Sequence, residues 1–128
     1  KAIHGFVVLY DCHSIRSQIP FLFEGVLPDF NIGTDGGRTC APSIEALVKH
    51  RCHAATGYTT VLNGRFKGGW TTRHYGCPSD GMHVIQMELA QSTYMLECSP
   101  WTYDTHVAER LRTHLKIILE DLISWSPV

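Results

Sequence analysis

The sequence predicts an α/β protein. Two apolar runs, Phe6–Tyr10 and His83–Leu89, have the continuous pattern of strands buried inside a sheet. Two amphipathic helices accompany them, one opening at Pro42 and a longer one from about Asp104. A chain of 128 residues suits a single domain over 1–128 and is long enough for a real core. Hydrophobic residues at 44% and charged residues at 18% are ordinary for a globular protein. A formal net charge of -1 leaves no basic surface for nucleic acid and no acidic tail. No apolar run is long enough to span a bilayer and no signal peptide is recognised, so a cytoplasmic, membrane-free protein is expected.

Five cysteines, Cys12, Cys40, Cys52, Cys77 and Cys98, are odd in number and widely spaced, with no Cys-x-x-Cys pair. That argues against a disulfide framework and a structural zinc knuckle, and favours reduced thiols. Eight histidines are more unusual, since histidine often marks metal or proton chemistry. The chain starts at Lys1 without Met and reaches a core strand almost at once. The remaining residues can supply only part of the cover such a strand needs. The expectation is therefore the carboxyl half of a larger domain, with an exposed apolar edge or face.

Phe6–Tyr10 reads as a strand covered on both faces. Asp11, His13 and Ser14 then fall just past its carboxyl end, where open α/β sheets bind ligands. His13 is a good metal ligand there and Asp11 is close enough to act beside it. From these residues alone a strand and an ordinary polar turn is the favoured reading. Ile15 to Arg38 holds Pro20, Gly25, Pro28, Gly33, Gly36 and Gly37, too many breakers for a regular element. A loop this long is either functional or a surface excursion pinned by its own Phe21, Leu22, Phe23 and Phe30.

Pro42 suits the first turn of a helix, and Ile44, Leu47, Val48 and Cys52 follow at helical spacing until Gly57. His50 and His53 lie off that apolar stripe and read as solvated surface. Tyr58–Leu62 is a β segment ended by Asn63-Gly64. From Gly64 to Gly76, Arg65, Lys67, Arg73 and His74 are interleaved with aromatics and glycines. An anion-binding site is modestly favoured over a solvated hairpin, because guanidinium groups pair bidentately with carboxylates. After the turn Cys77–Gly81, Glu88 stands within the second apolar strand. A carboxylate there is costly unless paired or functional, and burial moves its pKa towards that of a general base. An edge-strand Glu facing water is the alternative. The last helix carries its stripe on Val107, Leu111, Leu115, Ile118 and Leu122, is capped by Asp104, and packs on the sheet.

Several stretches together resemble the N-formylglutamate amidohydrolase family. They are Asp11–Ser17, Leu27–Thr34, Asn63–Trp70, Thr72–Gly76 and Gln86–Met95, in the family's order and over nearly the whole chain. The resemblance implies a zinc-dependent hydrolase that releases formate and L-glutamate from N-formyl-L-glutamate in histidine breakdown. It also implies a three-layer α/β/α, phosphorylase/hydrolase-like fold with a mixed sheet, distantly similar to zinc carboxypeptidases. By that resemblance His13 is a zinc ligand, Glu88 is the general base, and Arg73 and Arg65 contact the acidic substrate. Asn31 and His74 are further polar contacts, and Lys67 contributes long-range attraction only. The other two zinc ligands are expected upstream of this chain, which alone is expected to be inactive or nearly so. Two other readings stand beside this one: a related amidohydrolase or carboxypeptidase acting on another acidic N-acyl amino acid, and a non-catalytic domain that binds a small acid.

Overall fold

A computed structural model describes residues 1–127. Its strands are β1 (Val7–Ile15), β2 (Phe30–Gly33), β3 (Thr60–Leu62) and β4 (Met82–Ala90). Its helices are α1 (Pro42–Ala54), α2 (Trp70–Tyr75) and α3 (Thr105–Ser124), with short 3-10 turns at Pro78–Asp80 and Gln91–Thr93. The strands form one mixed sheet in the order β1-β4-β2-β3. β1 runs parallel to β4, β2 antiparallel to β4, and β3 parallel to β2.

The core lies between one face of the sheet and helices α1 and α3. Phe30, Ile32, Ile85 and Met87 from the strands meet Ile44, Val48 and Cys52 of α1 and Leu111, Ile118 and Leu122 of α3. Pro42 opens α1 as expected. Asp104 caps α3 by accepting from the Val107 amide at 3.1 Å, which satisfies one of the helix's orphan donors. The opposite face carries only the six-residue α2 among the described residues, so the expected third layer is a single short helix here.

Two expectations about the strands are corrected. β1 does not end at Tyr10; it continues through Asp11, Cys12, His13 and Ser14 to Ile15, paired with β4 over its whole length. The unbroken parallel ladder outweighs the low strand preference of those polar residues. Nor is β1 covered on both faces. Among the described residues it pairs on one side only, and Leu9 is 37% exposed. A continuous apolar run cannot by itself distinguish a central strand from an edge strand with an apolar groove beside it. That groove, of about 440 Å³, is lined by Phe6, Val8, Tyr10, Leu119, Ile123 and Trp125 among others.

The segment Ile15–Arg38 also differs from expectation. It contains β2, four residues that are all buried and paired on both sides. Its strand conformation comes from two neighbours rather than from local preference. Gly33 closes β2 under the 64–69 loop. A Cβ there would lie 2.7 Å from the Gly68 amide nitrogen, so only glycine permits this approach.

Candidate functional site

Strand periodicity builds the site. Side chains two apart share a face, so Asp11 and His13 of β1 point to the same side, as do Gln86 and Glu88 of β4. The register pairs Asp11 with Gln86 and His13 with Glu88. Four polar side chains are thereby set in a square on the face opposite the core. Asn31 of β2 is the partner of Glu88 on its other side.

A cleft of about 470 Å³ opens beside this square, lined by His13, Arg65, Lys67, Arg73, Gln86 and Glu88 with Phe66, Gly68 and Gly69. The imidazole, the acid and the guanidinium singled out in the sequence thus share one cavity. Arg65 lies on the loop after β3, its Nε donating to the Leu22 carbonyl at 3.2 Å. Phe66 packs edge-on against Phe23, which fixes the same loop. Among the described residues, Arg65, Lys67 and Arg73 form no ion pair, although five other pairs occur, His13 with Asp11 among them. Three unpaired cations give one cleft a positive wall that favours anions. Lys67 lines this cleft with the two arginines.

Glu88 is 7% exposed. Burial raises its carboxyl pKa above the ordinary value; the nearby His13 opposes this and Asp11 adds to it. The Gln86 amide nitrogen reaches Glu88 Oε2 at 3.4 Å, while Gln86 Oε1 accepts from the Gly69 amide at 2.7 Å. Asp11 Oδ1 lies 2.9 Å from His13 Nε2, and Asp11 Oδ2 accepts from the Thr72 hydroxyl at 2.9 Å. A carboxylate only accepts, so His13 presents an N–H to it at Nε2, and Nδ1 is the ring nitrogen turned away from Asp11.

That donor set fits one ligand of a catalytic zinc, an imidazole held by a carboxylate. Among the described residues no group of three His, Cys, Asp or Glu converges to hold a metal. His13 thus offers one imidazole of the kind a metal takes, and the described residues bring no further ligands to it.

Two of the predicted contacts lie off the cleft. Asn31 is buried, its amide nitrogen donating to the carbonyls of Pro28 at 2.6 Å and Glu88 at 3.1 Å, so it braces the strand that carries Glu88. His74 stacks on Trp70 with ring centroids 4.2 Å apart. Gln86 and Thr72 are buried residues of the site that the sequence reading missed. Gln86 had a visible signal: a polar residue two positions before Glu88 on an otherwise apolar strand.

Known proteins resemble this chain along most of its length. The family model described as N-formylglutamate amidohydrolase matches residues 1–95. The chain is 51% identical over 125 residues to an N-formylglutamate deformylase of Pseudomonas aeruginosa, covering 98% of this chain and 47% of that protein. It is 52% identical over 121 residues to an N-formylglutamate deformylase of Pseudomonas putida, covering 94% and 45%. A crystal structure of an N-formylglutamate amidohydrolase from Ralstonia eutropha superposes with a TM-score of 0.78. At 24% identity, covering 96% of this chain and 46% of that one, it shows the shared fold. The chain spans about half the length of the relatives it matches. It belongs to the N-formylglutamate amidohydrolase family.

Proposed function

We propose that this chain supplies the general base, one zinc ligand and the anion-binding wall of a site that hydrolyses N-formyl-L-glutamate to formate and L-glutamate. The observation that carries this reading is the convergence of His13, Glu88 and Arg73 on one cleft. The relatives' names supply the substrate, and the resemblance supplies its setting in histidine breakdown.

The substrate carries two carboxylates, and the cleft presents Arg73, Arg65 and Lys67. Arg73 offers a planar fork suited to one carboxylate, with Arg65 and Lys67 placed for the other. Held this way, the formamide lies towards His13 and Glu88. Glu88 takes the proton of the attacking water and delivers it to the departing amine. Burial raises its pKa above the ordinary carboxyl value, which makes it a stronger base than an exposed glutamate. A zinc ion bound through His13 and ligands outside this chain would supply Lewis acidity at the formyl oxygen and a more acidic water. Asp11 keeps the imidazole in one tautomer for that role.

The test is formate release from N-formyl-L-glutamate. The 128-residue chain alone is expected to show little or none. The protein joined to the rest of its relatives' length is expected to turn over. Arg73→Met should cost several kcal/mol in kcat/KM by leaving a substrate carboxylate unpaired, on the order of 10²-fold or more. Stoichiometric zinc and turnover by the isolated chain would overturn the half-site reading. Full activity of Arg73→Met would overturn the acidic-substrate reading.

A further inference from the structure

We infer that Thr72 is a positioning residue: through Asp11 it fixes the orientation of the His13 ring. Thr72 is fully buried, the third residue after the N-cap Gly69 in a helix of six residues. Its hydroxyl lies 2.9 Å from Asp11 Oδ2 and 3.4 Å from Gln86 Oε1. One hydroxyl proton serves one acceptor well, and Gln86 Oε1 already accepts from the Gly69 amide at 2.7 Å. The proton therefore goes to Asp11. The other oxygen of Asp11 meets His13 Nε2 at 2.9 Å. This gives a relay of three side chains running from the helix to the imidazole.

The relay matters because Asp11 and His13 stand on an edge strand. The His13 side chain is 45% exposed and that of Asp11 14% exposed. An exposed imidazole has several rotamers available, and a carboxylate free to swing would follow it. Thr72 is the buried end that holds the pair. Its methyl group faces Gly68, where an added Cβ would lie only 3.0 Å from it, so glycine leaves Thr72 the room it occupies. The next residue along the helix is Arg73, in the cleft. One turn of α2 thus mounts both the cation that selects the substrate and the donor that steadies the imidazole.

The inference deepens the hydrolytic reading, yet its readout needs neither metal nor substrate. In the 128-residue chain, side-chain three-bond couplings report whether Asp11 and His13 each hold a single χ1 rotamer. Wild type and Thr72→Ser, which keep the hydroxyl, are expected to show one rotamer at both residues. Thr72→Val, which keeps the volume and loses the donor, is expected to show averaged couplings at both. A purely packing role predicts the reverse, with the valine variant ordered and the serine variant loosened, and that result would overturn the inference. Asp11→Asn provides a second arm: in that background Thr72→Val should add no further averaging at His13. Additional loss there would show that Thr72 acts by another route and would also sink the proposal. Neither outcome bears on Arg73 or formate release, so the two readings fail separately.

Discussion

The two faces of β4 differ in chemistry at equal depth. Ile85 and Met87 point into the helices and are 0% and 1% exposed; Gln86 and Glu88 point the other way and are 4% and 7% exposed. On the core face burial is stabilising, because apolar surface leaves water and fills space between α1, α3 and the sheet. On the site face burial is costly, because a carboxylate loses its hydration. The protein accepts that cost on one face and recovers it on the other. The lesson is that depth alone does not identify a core residue: the alternation along the strand separates fold from chemistry.

Substitutions on the two faces should break this comparison in opposite ways. The largest effect is expected at Glu88. In the catalytically complete protein, Glu88→Gln should lower kcat by about 10²–10⁴, the usual loss of a general base. The same change should raise thermal stability of the chain at neutral pH. The folded-state pKa of Glu88 is raised, so the folded chain is penalised as pH rises above the ordinary value of 4.5, and the gain from glutamine should vanish as pH falls below it. A glutamine variant with normal turnover would erase the distinction between the faces.

Met87→Ala should do the converse. It should cost about 2–5 kcal/mol of stability in denaturant unfolding, through lost burial and the cavity left behind. The surviving folded fraction should keep its affinity for an acidic ligand at the cleft.

A smaller effect sharpens the contrast along the same strand. His83 points to the helix side, packs edge-on against Trp125, and its Nδ1 accepts from the Ala41 amide at 3.2 Å. Burial lowers its pKa below the ordinary 6.5. Protonation therefore favours the unfolded chain, and stability should fall as pH drops through 6.5. His83→Gln should flatten that slope in pH-dependent unfolding. Glu88 and His83 would then load stability from opposite ends of the pH scale.

Much of this arrangement was legible in the residues. The long helix, the helix at Pro42 and the apolar strand around Glu88 follow from local pattern, because each is long enough for its periodicity to dominate. Glu88 was legible as a carboxylate in a costly place, whereas His13 read as an ordinary turn residue, and it and Arg73 took their specific roles only from the family resemblance. β2 was not legible, since its four residues become a strand only between two others. The extension of β1 was hidden for the same reason: Asp11 and His13 look like a turn until β4 lies alongside. Thr72 gave no signal at all. A threonine in a glycine-rich segment acquires its role only when six residues coil into α2 and turn its hydroxyl inward.

The pairing of His13 with Glu88 rests on the alignment of β1 against β4 from Val7↔Met82 to Ile15↔Ala90. Sliding β1 by a single position would swing Asp11 and His13 towards α1 and α3, and bring Tyr10 and Cys12 out in their place. The reactive constellation is thus one of two phases of a two-fold repeat. Among the described residues its bond ladder has no neighbour on the outer side to enforce the choice. Whatever steadies that open border also decides whether the molecule holds an imidazole or a phenol over its cleft.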